Sequence, residues 1–204
     1  VTKLAGPALI PSLVEAKQHS VRVTIAIHAQ RLFREHGYGA TTIEDIAKAA
    51  GIGRRTFFRY FDTKDDVVLW RFDQFARHAV SLLEARPDHE PMLTALERAL
   101  TQASEFYNQD PEQTLFVLRL TEATPSLYAQ QLLQQDRWKR WFAEVLGARE
   151  GCSPTALPPQ ITATAGFEAM AIAVKCWVDD PAIGLTRHIA SSFEALRAVV
   201  GGHA

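Results

Sequence analysis

Arg54, Arg55, Phe58 and Arg59 fall on one side of the run RRTFFRYF (54–61), and Phe57 and Phe61, four apart, fall on the other. Thr56 and Tyr60 sit at the margins. Burying the two phenylalanines leaves three arginines and an aromatic ring on the open face of a short helix, and folding alone gives little reason for them. That set of side chains suits a DNA surface. Arginine forks onto guanine O6 and N7, phenylalanine touches a thymine methyl, and Thr, Tyr and Lys hold phosphates.

The elements that must position this face are legible around it. In TTIEDIAKAAGIG (41–53), Thr41 or Thr42 is the N-cap of a helix, with Glu44 or Asp45 returning a carboxylate to the unpaired N–H groups. Ile43, Ile46, Ala47 and Ala50 recur at helical spacing and form one buried stripe. Gly51 follows the last helical residue, where a left-handed conformation carries no Cβ penalty. Ile52 anchors the turn, Gly53 stands where a second N-cap belongs, and the arginine helix begins at once. Asp62 or Thr63 caps the next helix, whose Lys64 reaches a DNA backbone.

From about Arg22 to Val68 the chain resembles the DNA-binding domain of the TetR family of bacterial regulators. The matching stretches are RLFREHGY (31–38), TTIEDIAKAAGIG (41–53) and RRTFFRYFDTKDDVV (54–68), in the family's order and spacing. Carried over by position, the resemblance implies DNA contacts at Thr42, Gly53, Arg54, Arg55, Thr56, Phe58, Arg59, Tyr60 and Lys64. Two positions depart from the commoner pattern. Gly53 replaces a hydroxyl residue, and Phe58 stands where Tyr is common, so two hydroxyl contacts are lost.

The formal net charge of −1 conceals an asymmetry: residues 1–65 hold ten Lys/Arg against six Asp/Glu, and the remainder holds twelve against seventeen. The basic end is the motif end, so salt-sensitive duplex binding is expected there. The 204 residues, 47% of them hydrophobic, can bury a substantial core. No run of eighteen apolar residues and no secretory signal stands out, so no membrane span and a cytoplasmic location are expected. Cys152 and Cys176 are isolated, the histidines lack ligand spacing, and neither a metal nor a cofactor is assigned.

The predicted fold is all-α with about nine helices, divided into a flexible arm at 1–19, a three-helix helix-turn-helix domain at 20–65 and a helical effector and dimerisation domain at 66–204. The first helix starts between 12 and 22 and ends at Gly37, burying Ile25, Ala29, Leu32 and Phe33. Val68, Phe72, Phe75, Ala79 and Leu82 mark a long helix from Asp65 to about Leu83, the natural link into the rest of the chain. Prolines and the loop GCSPTALPP (151–159) separate further helices at about 91–108, 112–123, 126–148, 159–178 and 182–200. The last two are apolar on several sides and rich in small residues. They suggest a four-helix bundle between two copies, with Ala163, Gly166, Met170, Ile189, Phe193, Leu196 and Val200 at the interface.

The resemblance further implies a homodimer on an inverted-repeat, double-stranded DNA operator and a small-molecule pocket in each subunit. LRLTEATPSLYAQQLLQQDRWKRWFAEVLGAREG (118–151) and AIAVKCWVDD (171–180) look like the subgroup of mycofactocin-type regulators, which implies an apolar or acyl-CoA-like effector. Candidate pocket residues are Trp70, Phe106, Phe116, Leu120, Trp141, Phe167, Met170, Val174 and Trp177. Arg119, Arg137 or Arg140 would stand near a head group. The same aromatics at helical spacing also suit a closed core. An enzyme finds no nucleophile elbow, phosphate loop or carboxylate pair in its favour. A TetR-shaped lipid or acyl-CoA sensor without operator binding is the rival, motivated by the sparse basic arm and the missing hydroxyls.

Overall fold

The computed structural model describes residues 13–201, and every regular element among them is a helix. The chain forms two compact units that divide between Arg71 and Phe72. The division falls inside one helix, a little beyond the boundary expected at 65/66.

The first unit contains α1 (Leu13–His36), α2 (Ile43–Ala49), α3 (Arg54–Phe58) and the opening turns of α4 (Lys64–Glu84). Residues 1–12 of the expected arm lie outside the described residues, and 13–19 belong to α1. The apolar face of α1 buries Ile25, Ala29, Leu32 and Phe33, as its spacing predicts. Thr42, not Thr41, caps α2: its hydroxyl accepts from the Asp45 amide at 3.1 Å, and the Thr42 amide donates to the Asp45 carboxylate at 3.0 Å. Thr41 is buried instead, and its hydroxyl donates to the Gly37 carbonyl at 2.8 Å. A second box opens α4, where Thr63 and Asp66 satisfy each other's backbone amides at 2.9 and 3.1 Å.

The second unit takes the rest of α4 and adds α5 (Met92–Ala103), α6 (Glu105–Asn108), α7 (Pro111–Ala123), α8 (Pro125–Arg149), α9 (Leu157–Asp179) and α10 (Leu185–Val200). One helix more than expected arises because the segment at 91–108 breaks at Ser104. That side chain is buried and donates back to the Thr101 carbonyl at 2.6 Å. Pro111 and Pro125 begin α7 and α8, where a missing N–H is harmless. For the same reason α9 starts at Leu157 and carries Pro158 and Pro159 in its first turn.

Helix α9 is the spine of this unit and packs against α10, α8 and α5. Among the described residues it alone is long and apolar enough to cross a membrane, although no apolar run stands out in the sequence. Its apolarity has a core explanation, since Ala163, Phe167, Met170, Ala173 and Trp177 are all buried within the unit. At Gly166 a Cβ would lie 2.5 Å from Leu96 Cδ2 and 3.6 Å from Phe193 Cε1, so α5 and α10 close onto α9 only because the side chain is absent.

The loop after α4 is held by charge. Buried Glu90 accepts from Arg86 and Arg98, and Arg149 donates to the Arg86 and Pro87 carbonyls at 2.7 and 2.6 Å. The hydrogen bond from Arg86 leads the interactions that hold the Glu90 carboxyl down at about 2.

Gly166→Val should destabilise the protein by about 1–3 kcal/mol through overpacking, read as a lower midpoint in chemical denaturation; an unchanged midpoint would show that Leu96 and Phe193 yield freely. Because the Glu90 pKa is lowered on folding, its contribution is fully present above the ordinary glutamate range and is lost as pH falls toward 2. Glu90→Gln should therefore flatten the acid limb of stability against pH below about 4.5, and a limb parallel to that of the parent would count against this role.

Candidate nucleic-acid interface and ligand cavity

Helix α3 is five residues long, too short to hold itself together, and its orientation comes from two aromatic anchors. Phe57 is fully buried and Phe61 nearly so, with ring centroids 6.0 Å apart, and Phe61 meets Trp70 edge-on at 6.1 Å. Gly51 turns the chain with φ +68°, and the Ile52 amide donates back to the Ala47 carbonyl at 2.9 Å. Regular helix ends at Phe58; the Tyr60 and Phe61 amides both bond to the Phe57 carbonyl, so the run to 61 continues as a tight turn.

Arg54, Arg55, Phe58 and Arg59 are all exposed on the side away from Phe57. Arg54 pairs with Glu44 at 2.7 Å, yet its side chain stays 66% exposed, so the pair lies open to solvent and leaves the guanidinium free to swing. Its guanidinium also lies 5.5 Å from the Phe58 ring. Arg55 enters no ion pair among the described residues. Thr56 and Tyr60 are half-buried. Arg59 reaches the Tyr60 hydroxyl at 3.2 Å, and the guanidiniums of Arg22 and Arg59 lie 5.9 and 5.1 Å from the Tyr60 ring. Thr42 spends its hydroxyl on the α2 cap. At Gly53 a Cβ would meet nothing within 4 Å and φ is −78°, so a serine or threonine would fit there without strain.

Lys64 is placed differently from the sequence expectation. Its ammonium donates to the Tyr38 carbonyl at 2.8 Å and the Thr41 carbonyl at 3.1 Å, and lies 4.4 Å from the Tyr38 ring. The Tyr38 hydroxyl bonds to Asp65, and burial together with that bond raises the phenol well above its ordinary range. Lys64 therefore clamps the α1–α2 turn onto α4, and its charge is directed inward.

The second unit contains a cavity of about 520 Å³ among α4, α6, α7, α8 and α9. Phe75 and Tyr107 stack at 4.5 Å along its wall, and Trp138 and Phe167 add rings 6.1 Å apart. Of the pocket residues expected from sequence, Phe167, Met170 and Val174 line it. The others do not. Trp70 belongs to the first unit and packs on Phe61 and His19. The guanidiniums of Arg77 and Arg137 lie 4.8 and 5.2 Å from the Trp141 ring. Arg119 donates to the Val178 carbonyl at 3.0 Å, and Trp177 is core. Phe106 tilts against Tyr107 from outside the lining, and Phe116 and Leu120 are half-buried without reaching it. Arg137 is bound to Asp73 at 2.6 Å, and Arg140 is outside the lining as well. Phe72, Phe75, Tyr107 and Trp138 were missed because their spacing reads as ordinary core.

The interface residues need a similar correction. Ala163, Gly166, Met170, Ile189 and Phe193 are buried inside the subunit, where α5, α8 and α10 already cover α9; Leu196 is half-buried and only Val200 is exposed. The outward side of α9 presents Leu157, Ile161 and Thr164, while the exposed Glu168 and Ile172 line the cavity.

The family model for bacterial regulatory proteins of the tetR type matches residues 28–69, and that for the MftR C-terminal domain matches 90–201, more than half of the chain. The chain belongs to the TetR family. It is 28% identical over 170 residues to a protein named as the mycofactocin biosynthesis transcriptional regulator MftR of Mycobacterium tuberculosis, covering 83% of this chain and 86% of that one. Two solved structures share the fold. SmeT, the repressor of a Stenotrophomonas maltophilia multidrug efflux pump, superposes in its triclosan complex with a TM-score of 0.62 at 18% identity, over 88% of this chain and 91% of the other. Thermus thermophilus FadR with lauroyl-CoA does so with a TM-score of 0.55 at 20% identity, over 86% and 92%. TetR regulators bind operator DNA as dimers and bind small ligands, and α3 lies within the segment matched by the family model.

Lys64→Met keeps the aliphatic stem and removes the charged donors, so it should cost about 1–2 kcal/mol of stability while leaving the salt dependence of duplex binding unchanged. A stable variant whose salt slope drops by about one unit would instead return Lys64 to the phosphate-contacting set.

Proposed function

We propose that this TetR-family chain is a homodimeric, ligand-responsive repressor, released from an inverted-repeat operator when a small apolar or acyl-CoA-like effector enters the cavity. The observation that carries the reading is the opposition of fully buried Phe57 to exposed Arg54, Arg55 and Phe58. In this reading Arg54 and Arg55 read base edges, Phe58 supplies apolar contact, and Thr42, Gly53, Thr56, Arg59 and Tyr60 hold the backbone. Two copies of α3 in successive major grooves would stand roughly 34–36 Å apart.

The second copy docks on the outward side of the last two helices, against Ile161 and Thr164 of α9 and Ala190 and Glu194 of α10, all exposed in the single chain. Helix α4 carries the signal. Its residues Phe72 and Phe75 line the cavity and its first turn carries Lys64, so a ligand that prefers one arrangement of the cavity wall shifts the population of DNA-competent dimers. The chain acts without catalysis, alongside the chromosome in the cytoplasm.

A second reading, a TetR-shaped sensor with weak operator binding, is favoured by the inward Lys64 and the Arg54–Glu44 pair, which both subtract from the basic face. Titration with DNA from the gene's own upstream region separates the two. Arg55→Ala should remove about 1–3 kcal/mol of discrimination between that site and unrelated duplex if the guanidinium forks onto guanine. Parent protein that binds every duplex alike, and an Arg55→Ala variant indistinguishable from it, would favour the sensor.

A further inference from the structure

The charges that face the cavity are Glu122, Asp136 and Glu168 against Lys139 and Lys175. Lys139 is already committed: it pairs with Glu168 at 2.7 Å and lies 5.4 Å from the Phe167 ring. Glu122 and Asp136 enter no ion pair among the described residues, so the uncompensated charge of the lining is negative. Around it stand the aromatic rings of Phe75, Tyr107, Tyr128 and Trp138. Such rings attract a cation through their quadrupole, and a carboxylate at the rim adds to that attraction. A head group carrying several negative charges would meet the opposite field, with only Lys175 uncommitted to receive it.

We propose that the cavity takes an apolar molecule with a cationic head, its body among the rings and its charge toward Glu122 and Asp136, in preference to a carboxylate or a coenzyme A thioester. The inference rests on the reading of this cavity as the effector site, and it narrows that reading to one ligand class. The mouth suits an amphiphile, because Tyr128, Leu132, Leu133 and Ile172 line the cavity and are also exposed.

The test is isothermal titration of the full chain with three probes that share one ten-carbon chain and differ in their heads: decyltrimethylammonium, decanoate and decanoyl-CoA. The first should bind at least about tenfold more tightly than either anion, from one partly exposed ion pair together with cation–π contact. The double variant Glu122→Gln/Asp136→Asn alters two exposed side chains, so it should fold normally. It should bring the cation and decanoate to within about twofold of each other. Val174→Phe, which fills part of the cavity, should weaken all binding, whereas binding indifferent to it would lie elsewhere and overturn the proposal. Tighter binding of decanoate or decanoyl-CoA would overturn the charge inference and leave the cavity as the effector site. Failure of all three probes to bind would remove the cavity reading itself.

Discussion

The burial of Phe57 is the constraint on which the DNA-facing surface depends. A five-residue helix has too few internal hydrogen bonds to define its own direction, and sealing one phenylalanine side chain from water contributes roughly 1.5–3 kcal/mol. With Phe57 fully inside and Phe61 beside it, helical geometry allows only one disposition of the remaining side chains. Arg54, Arg55 and Phe58 then point to solvent because the alternative would bury guanidiniums in place of rings. The glycine turn at 51 contributes the second half of the constraint, since its positive φ turns the chain so that the Ile52 amide bonds back to the Ala47 carbonyl before α3 begins.

A comparable junction organises the cavity. Asp73 on α4 accepts from Arg77 at 2.8 Å, from Arg137 at 2.6 Å and from the Trp138 indole at 3.2 Å. Burial pushes its carboxyl up, but the bonds from Arg77 and Trp138 and the two guanidinium charges outweigh that and hold it below the usual range. Trp138 is at once a cavity wall and a hydrogen-bond donor to α4. A ligand that displaces the indole must disturb a charged, three-donor acceptor on the same helix that begins at Lys64. The cavity is thus tied to α4 by directional bonds as well as by the packing of Phe72 and Phe75.

The parts of this protein legible in its sequence are those where a local rule has one solution. The buried Ile46 and Ala47 of the α2 stripe, whose Ile43 and Ala50 are only half-buried, the left-handed Gly51, the proline starts of α7 and α8 and the outward arginines all follow from spacing and backbone sterics within a few residues. The choice between Thr41 and Thr42 did not, because both threonines satisfy the cap pattern and only the backbone path of the turn from Gly37, which brings the Thr41 hydroxyl to the Gly37 carbonyl, assigns Thr41 to the interior. The cavity residues were less accessible for a deeper reason: an aromatic side chain that lines a void and one that fills a core have the same periodicity. Gly166 shows the same limit. Small residues on α9 announce close helix approach, but whether the approaching helix is Leu96's own α5 or one from another copy depends on contacts seventy positions apart.

The inward turn of Lys64 and the pairing of Arg54 with Glu44 reduce the basic face to fewer free cations than its composition suggests, yet the two differ in what they cost a DNA complex. Lys64 holds two backbone carbonyls of the α1–α2 turn, and recruiting it to a phosphate would strand those acceptors and the clamp with them. The Arg54 pair is mostly exposed, and exposed pairs are worth at most about 1 kcal/mol, less in salt. A phosphate or a guanine edge repays that loss readily, and Glu44 returns to water when Arg54 leaves it. Glu44 also adds a negative charge beside the reading face, which penalises loose electrostatic adhesion more than a forked base contact. On this argument the pair costs little affinity at a matched site and more at unmatched ones, so it acts on selectivity.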